Sequence, residues 1–379
     1  MTLRAVAVQV HLWLSLAFAV VIVVACLTGA ALVYRHDIDR GLNPALYDVT
    51  AGDVGWDTAW RAVKRRYPDL DGTLIRGPVD RRVYQVEVGD GLMPRAVHVD
   101  PGSGRVLGEH EQSRSLAGWL FILHFNMFAG DAGHTVVGVA GLVLVLITLT
   151  GVWLWWPAFR RLAFGFRIRW TRPFFVVNYD LHRVVGIVSL PLVLLVSLTG
   201  AMLVFYEVGG RLVHALFFTT PEAVVAAQRA PVSRPLVDLR LPLSLDAAAA
   251  LATTLAPGAR ASSMYVRDID TVKVWLRTPG DTRPNVGSWH AWVDRRTGQV
   301  TSAMLPESTP LAAHADETWV IALHYGTYGG EVVRLIYLIG GLTPVALLVT
   351  GVTHWLLRRR EPPAPAPGRR SAASGRSSG

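Results

Sequence analysis

The sequence predicts a membrane protein: an all-α transmembrane four-helix bundle of two pseudo-symmetric parallel repeats, with an α+β module outside the membrane in each repeat. Three observations support this fold class. Four apolar runs are long enough to cross a hydrocarbon core of about 30 Å, which takes about 20 helical residues. Only 17% of the 379 residues are charged, against roughly 25% in soluble domains. The four runs also match one another in two pairs.

The first and third runs share one pattern. His11 precedes Thr28 by 17 residues, and His182 precedes Thr199 by the same 17 residues. Each threonine belongs to a Leu-Thr-Gly-Ala sequence near the far end of its run. The third run is internal, where no signal peptide is cleaved, so we interpret the matching N-terminal run as an uncleaved helix.

The second and fourth runs also correspond. Equivalent residues lie 200 positions apart: Trp119 and Trp319, His124 and His324, Gly130 and Gly330, Asp131 and Glu331, Thr150 and Thr350. The repeated unit is therefore a helix, a long polar segment and a second helix. Because each unit has two spans, both copies have the same orientation, and a pseudo-twofold axis along the membrane normal is expected.

The basic residues predict the topology. The net charge is +9, and its cations cluster in short segments beside apolar runs, which favours the positive-inside rule over nucleic-acid binding. The connector 158–181 and the arginines at 358–360 should be cytoplasmic. We therefore expect a multi-pass protein of a bacterial inner membrane with both termini inside. The single cysteine, Cys26, excludes an intrachain disulfide and any cysteine-based zinc or iron–sulfur site.

The long outer segments are expected to be related α+β modules. Alternating runs at 82–88 and 271–277 are followed by two hairpin patterns, at 97–106 and 292–300. Each module should begin with a helix, at 56–67 and at 245–255. The predicted domains are, in order, helix 8–34, periplasmic module 36–118, membrane-edge approach 119–134, helix 135–157, basic loop 158–181, helix 182–206, periplasmic module 207–318, membrane-edge approach 319–331, helix 332–357 and a disordered cytoplasmic tail 358–379.

Seven of the twelve histidines lie at membrane depth or at its edge, where ionisable residues are costly and are functional candidates. They form two tiers. The inner tier contains His11, His182 and His354, and the outer tier contains His36, His124, His134 and His324. Each one alone could equally cap a helix or sit at the interface. The other five, expected to be solvated, in hairpins or interfacial, are His98, His110, His214, His290 and His314.

We expect the histidines of these two tiers to bind haem iron. Zinc needs three or four ligands, and a transporter would need acidic residues along its path, which the spans almost lack. Imidazole pairs from different helices of an apolar bundle suit haem iron. Glycines on the spans would let a porphyrin approach the backbone, or would simply pack the helices.

Twofold symmetry suggests that equivalent histidines pair. His11 with His182 would bind an inner haem, and His124 with His324 an outer one. The three remaining tier members have no histidine at the matching position, where Glu207, Arg334 and Leu154 occur. Those three, His36, His134 and His354, could instead replace a symmetric ligand or contact haem propionates. No other catalytic residue is predicted.

The order of several short sequences resembles the PepSY-associated transmembrane family up to about residue 360. They are the His11–Tyr34 span, Arg35-His36-Asp37-Ile38-Asp39, Leu42-Asn43-Pro44, the hairpin sequence VDPGSGRVLG, Leu123-His124 before TGVWLWWP, Leu181-His182-Arg183-Val184-Val185-Gly186 and Leu323-His324-Tyr325-Gly326. Members include bacterial inner-membrane reductases of ferric siderophores with four spans and two b-type haems. The resemblance implies that the symmetric four are family-type histidines. His134 stands where many relatives have arginine, and His354 is not a strong part of the pattern.

Three functions are compatible with this sequence. The first is a di-haem carrier that reduces a ferric siderophore or another ferric chelate in the periplasm. Since no dinucleotide-binding signature follows a strand, its electrons would come from a quinol or a protein donor. Arg81, Arg82, Arg114, Lys273 and Arg283 could attract anionic chelates or form a solvated surface. The second is a membrane-anchored PepSY regulatory or binding protein without redox activity, and the third is a haemless transporter.

Overall fold

The computed structural model describes residues 2–68, 73–78, 82–89, 94–156, 162–222, 241–283 and 286–360. Arg81 and residues 361–379 of the predicted disordered tail 358–379 lie outside them, whereas 358–360 form the end of the last helix. The α-helices are α1 Leu3–Ala17, α2 Ala19–Leu32, α3 Arg35–Leu42, α4 Trp56–Lys64, α5 Leu116–Asn126, α6 Gly130–Trp155, α7 Leu162–Gly165, α8 Phe174–Val204, α9 Tyr206–Leu216, α10 Leu245–Thr253, α11 Leu311–His314, α12 Val320–Tyr325 and α13 Gly330–Arg360.

Three of these helices, α6, α8 and α13, are long and apolar enough to cross a membrane. A fourth crossing is present if α1 and α2 form one span. These two helices meet at Phe18 with a bend of 67°, so the segment 8–34, predicted as one helix, consists of two helices that can still form one span. Phe18 has φ −101° and ψ 7°, outside the helical range. Helix α8 packs between α6 and α13, while α2 packs on α13 and α1 packs on α6.

Helix α8 begins at Phe174, so His182 lies in its third turn rather than at its start. An ion-pair network stabilises this extra length. The buried Asp180 accepts hydrogen bonds from Arg169 Nε at 2.8 Å and Nη2 at 2.9 Å, and Arg183 lies 3.2 Å away. The buried carboxylate is thus fully paired, as burial of a charge requires.

The two outer segments share one eight-stranded antiparallel sheet rather than forming separate modules. Its strands are β1 Thr73–Arg76, β2 Tyr84–Val88, β3 Arg95–Val99, β4 Val106–Glu111, β5 Arg260–Val266, β6 Thr271–Arg277, β7 Trp289–Asp294 and β8 Gln299–Met304. Their order is β4-β3-β2-β1-β5-β6-β7-β8. The sheet is continuous because β1 pairs with β5, with Ile75 opposite Met264. The expected hairpins β3–β4 and β7–β8 are present, but β1 and β5 had no sequence prediction.

One face of the sheet packs on α4 and α10 and forms the core of the outer region. Alternate residues along the strands point into it, as the twofold period of a strand requires. Ile75, Val86, Val97, Met264 and Val274 are all fully buried there. The predicted helices at 56–67 and 245–255 are therefore confirmed in place, with ends two or three residues shorter.

A side chain from the second half of the chain caps the N-terminus of α4, a helix of the first half. Gly55, the N-cap of α4, has no side chain to accept from the first N–H groups, and its φ of +82° favours glycine. Asp246 of α10 takes that role. Its Oδ1 accepts from Trp56 N at 2.7 Å and its Oδ2 from Asp57 N at 3.2 Å.

We expect Asp246→Ala to destabilise the outer region by about 1–2 kcal/mol, the usual cost of losing an N-cap. Chemical unfolding followed by tryptophan fluorescence measures this change in the free energy of unfolding. Glu307→Ala, which removes an exposed acid, is the control and should change stability little. Equal stability of both variants would contradict the capping role.

Candidate functional site

The structure brings two pairs of histidines together, each across the two repeats. In the inner pair, His11 of α1 and His182 of α8 have ring centroids 6.4 Å apart and ring planes at 84°. In the outer pair, His124 of α5 and His324 of α12 have centroids 6.2 Å apart and planes at 37°. These are the two symmetric pairs expected from the sequence.

Each of the four rings lies on a Thr-Gly dipeptide of another helix in its own repeat. We call these dipeptides the Thr-Gly seats. They are Thr150-Gly151 of α6 under His11, Thr28-Gly29 of α2 under His124, Thr350-Gly351 of α13 under His182 and Thr199-Gly200 of α8 under His324. Each repeat therefore builds one inner and one outer seat, and a pair forms only when the repeats meet.

Hydrogen bonds from the seats fix the tautomer of the rings. The Nδ1 atoms of His11, His124 and His324 lie 3.0, 2.9 and 3.1 Å from backbone carbonyl oxygens three residues before the seat threonines. A carbonyl oxygen only accepts, so Nδ1 must carry the proton. His182 Nδ1 lies 3.0 Å from the hydroxyl of Thr350, which itself donates to Ala346 O at 2.9 Å. In all four rings Nε2 is left with its lone pair.

The seat glycines leave room for the rings. A Cβ atom at Gly29 or Gly200 would lie 2.9 or 2.8 Å from Cε1 of the ring above it. At the inner seats the corresponding distances are 3.5 Å for Gly151 and 3.1 Å for Gly351. The contact between ring and helix backbone in the outer pair therefore requires glycine. In the inner pair there is slightly more space between the ring and the glycine.

Two neutral imidazoles with free Nε2 atoms are suited to a metal that needs only two protein ligands. The ring separations of 6.4 and 6.2 Å leave room for one metal ion to be held by both imidazoles of a pair through nitrogen bonds of about 2.0 Å. Among the described residues no group of three or more histidine, cysteine or acidic side chains could hold a metal ion. Haem meets the two-ligand condition because the porphyrin supplies the other ligands.

Comparison with protein families agrees with this architecture. The family model for the PepSY-associated TM region matches residues 8–358, nearly the whole chain. The chain belongs to the PepSY-associated transmembrane family. No curated protein sequence matches it significantly.

The other predicted tier members of this PepSY-associated protein lie beside aromatic rings or outside the spans. His134 stacks on Phe125, the residue that follows His124, and the two ring centroids are 4.2 Å apart. His354 stacks on Phe175 at 4.5 Å at the opposite end of the bundle. His36 is half-buried on α3, the helix that follows α2 and its Thr28-Gly29 seat.

Several histidines outside the tiers are more buried than expected. His98, on β3, is 1% exposed and stacks on His110 at 5.3 Å. His214, on α9, is 3% exposed; its Nδ1 lies 3.0 Å from the Thr219 hydroxyl, and Asp316 is nearby. His290 is also buried, on β7. His98 and His290, expected to be solvated or hairpin residues, do lie in the predicted hairpins, but they are buried there. His214, expected to be interfacial, is buried on α9.

Sequence reasoning missed the role of the four seat threonines. Their Thr-Gly dipeptides were visible as repeated elements of the spans, at the same spacing in both repeats. That repetition could have indicated a common role. It does not reveal which histidine each dipeptide contacts, because the partners are up to 168 residues apart.

Proposed function

We propose that this protein is a di-haem electron carrier that reduces ferric chelates, such as ferric siderophores, outside a bacterial inner membrane. His11 and His182 would hold one b-type haem, and His124 and His324 the other. The observation that carries this proposal is the set of four Thr-Gly seats, each of which presents a neutral imidazole with a free Nε2. A membrane anchor for a regulatory module has no need of four matched seats.

The residues of the chain would prepare these sites for one-electron chemistry. Haem iron, when bound, supplies a ferric–ferrous couple that accepts and passes one electron at a time. The Nδ1–H donation to carbonyl and hydroxyl oxygens fixes ring orientation and raises the basicity of Nε2. All four histidines are half-buried among the surrounding apolar helices.

The spacing of the seats suits transfer across a membrane. On α8, His182 of the inner pair and Thr199 of an outer seat are 17 residues apart, which corresponds to about 25 Å of helix. This is most of a hydrocarbon core of about 30 Å. Oxidation of one quinol to quinone releases two electrons and two protons, and each electron converts one chelated Fe(III) to Fe(II). The softer Fe(II) is held less tightly by oxygen ligands.

The test is the visible spectrum of the purified protein from haem-replete cells. We expect a red preparation, a reduced-minus-oxidised difference spectrum of low-spin b-type haem, and about two haems per chain by pyridine haemochrome assay. Reduction by a quinol analogue followed by loss of the reduced spectrum on adding a ferric chelate would test turnover. A colourless preparation would instead favour a membrane-anchored PepSY binding protein without redox activity.

A further inference from the structure

The face of the sheet opposite α4 and α10 carries polar and aromatic side chains in rows. Strand register places two rows side by side across β1, β5, β6 and β7. One row contains Arg76, Ser263, Trp275 and His290, and the other contains Leu74, Tyr265, Lys273 and Trp292. Arg76, Tyr265, Lys273, Trp275 and Trp292 are half-buried, so they remain within reach of a ligand.

Four cations converge near this face. Arg76 is on β1, Lys273 is on β6, Arg283 is in the β6–β7 connection and Arg35 begins α3. Burial is the main cause that lowers the pKa of Arg35, and the charge of Arg76 lowers it further. Burial also lowers the pKa of Arg283, an effect that Asp281 and Glu317 oppose and to which the charge of Arg76 adds slightly. The charge of Arg76 thus acts on both Arg35 and Arg283, and the charge of Arg283 acts on Lys273.

The cations are short of acidic partners. Arg76 pairs with Glu87 at 2.7 Å. Among the residues that the structure describes, no carboxylate lies within ion-pair distance of Arg35, Lys273 or Arg283. Burial, followed by the charges of Lys273 and Arg283, lowers the pKa of His290 to about 3, so this neighbour is neutral at pH 7. Asp281 and Glu317 partly offset the charge of Arg283, and Glu317 that of Lys273, but neither of these two described acids forms an ion pair with them. An anionic ligand could therefore pair with these cations directly.

The same cations adjoin the outer histidine pair. Arg35 follows the α2 helix that seats His124, and its guanidinium lies 5.5 Å from the ring centre of Phe121, one turn before that histidine. Arg283 Nη1 donates to Glu317 O at 3.3 Å, in the π-helical turn directly before α12 and His324. A ligand bound to these cations would thus lie next to the outer pair.

Aromatic rings flank the central cation. Lys273 Nζ lies 4.8 Å from the ring centre of Trp275 and 5.6 Å from that of Trp292. Tyr265 meets Trp292 edge-on at 6.5 Å. Indole and phenol faces of this kind stack on planar aromatic ligands, a property that a purely charged site would lack.

We propose that this sheet face is the binding site for an anionic ferric chelate with aromatic ligand groups, of the catecholate type, held by Arg35, Arg76, Lys273 and Arg283 beside the outer histidine pair. The proposal rests on the proposed function for its redox outcome, but the binding itself needs no electron transfer. Cations neutralise the complex, and the tryptophans contact its rings.

The experiment uses gallium(III) chelates, which have the shape of the ferric complexes but are not reduced. Binding of an anionic gallium tris-catecholate and of a neutral gallium tris-hydroxamate to the purified full-length protein is measured by calorimetry. We expect Lys273→Gln and Arg283→Gln each to weaken tris-catecholate binding about tenfold or more and to change tris-hydroxamate binding less than about twofold. Arg61→Gln, on α4 across the sheet, is the matched control and should bind like the unmodified protein.

Lys273→Arg keeps the charge and should retain binding within about twofold. Unchanged tris-catecholate affinity in both glutamine variants would overturn the proposal, as would an equal loss for the neutral complex. Loss of haem from the glutamine variants without loss of tris-catecholate binding would also overturn it, since the cations would then serve the cofactor. If the purified protein contains no haem but still binds gallium tris-catecholate, the binding site is supported and only the proposed electron transfer is refuted.

Discussion

The His324→Ala variant is expected to retain about one haem per chain instead of about two and to lose reduction of external ferric chelates. Alanine removes one of the two imidazoles of the outer pair, whose ring centroids are 6.2 Å apart, and leaves the site with a single histidine that could hold the iron. His124→Ala should have the same effect. Pyridine haemochrome assay gives the haem count, and the rate of Fe(II) release gives the activity.

Retention of the proposed inner haem would show that these variants fold, because His11, His182 and their seats lie at the other end of the bundle. His134→Ala is the matched control: it removes a histidine in the same region that stacks on Phe125. It should keep about two haems. If His324→Ala keeps both haems, the assignment of the outer pair is wrong. If it loses both, the two sites are not independent and the two-tier proposal fails.

The Gly200→Ala variant is expected to weaken haem binding at the outer site by about 10–100-fold, the range found when groups that orient a metal ligand are altered. The added methyl group would lie 2.8 Å from Cε1 of His324, so the ring must leave its seat. It would then lose the Nδ1 hydrogen bond to Val196 O. Transfer of haem to apomyoglobin, followed spectroscopically, measures the loss of affinity.

Gly186→Ala provides the control on the same helix. Its new methyl group would meet only Leu347 Cδ2, at an ordinary contact distance of 3.7 Å, so both haems should stay bound. At the inner tier Gly351→Ala should have a smaller effect than Gly200→Ala, because its Cβ would lie 3.1 Å from His182 Cε1. Equal haem affinity in Gly200→Ala and Gly186→Ala would show that the seat does not position the ring.

The apolar runs could be located from the sequence because bilayer thickness sets a length and a composition that few soluble segments meet. The break between α1 and α2 at Phe18 could not be located from the sequence. Neither proline nor glycine marks it, and Pro191 and Pro344, which the sequence does show, lie inside unbroken helices. Strand β1 is only four residues long, and its pairing with β5 depends on contacts between distant parts of the chain.

The paired histidines of the candidate site could be predicted from the sequence, but the groups that support them could not. Duplication singled out His11, His124, His182 and His324, because a symmetric pair of repeats retains the same chemical group twice. The Thr-Gly seats depend on which helices pack together. Helix packing in a membrane is set by close side-chain fit rather than by hydrophobic pattern. Because the apolar runs are hydrophobic around their whole circumference, the sequence does not show which face of each helix packs on a neighbour.

The pairing of β1 with β5 has a consequence for how such a chain could have arisen. These strands are the first of each repeat, and they run antiparallel across the pseudo-twofold axis. A shorter ancestor with one repeat could therefore close the same sheet by pairing that strand with its own copy, as an isologous dimer. Its histidine pairs would also be complete only in the dimer. Gene fusion would then have joined the two halves covalently, so that their association no longer depended on protein concentration. The two halves could then have diverged in sequence.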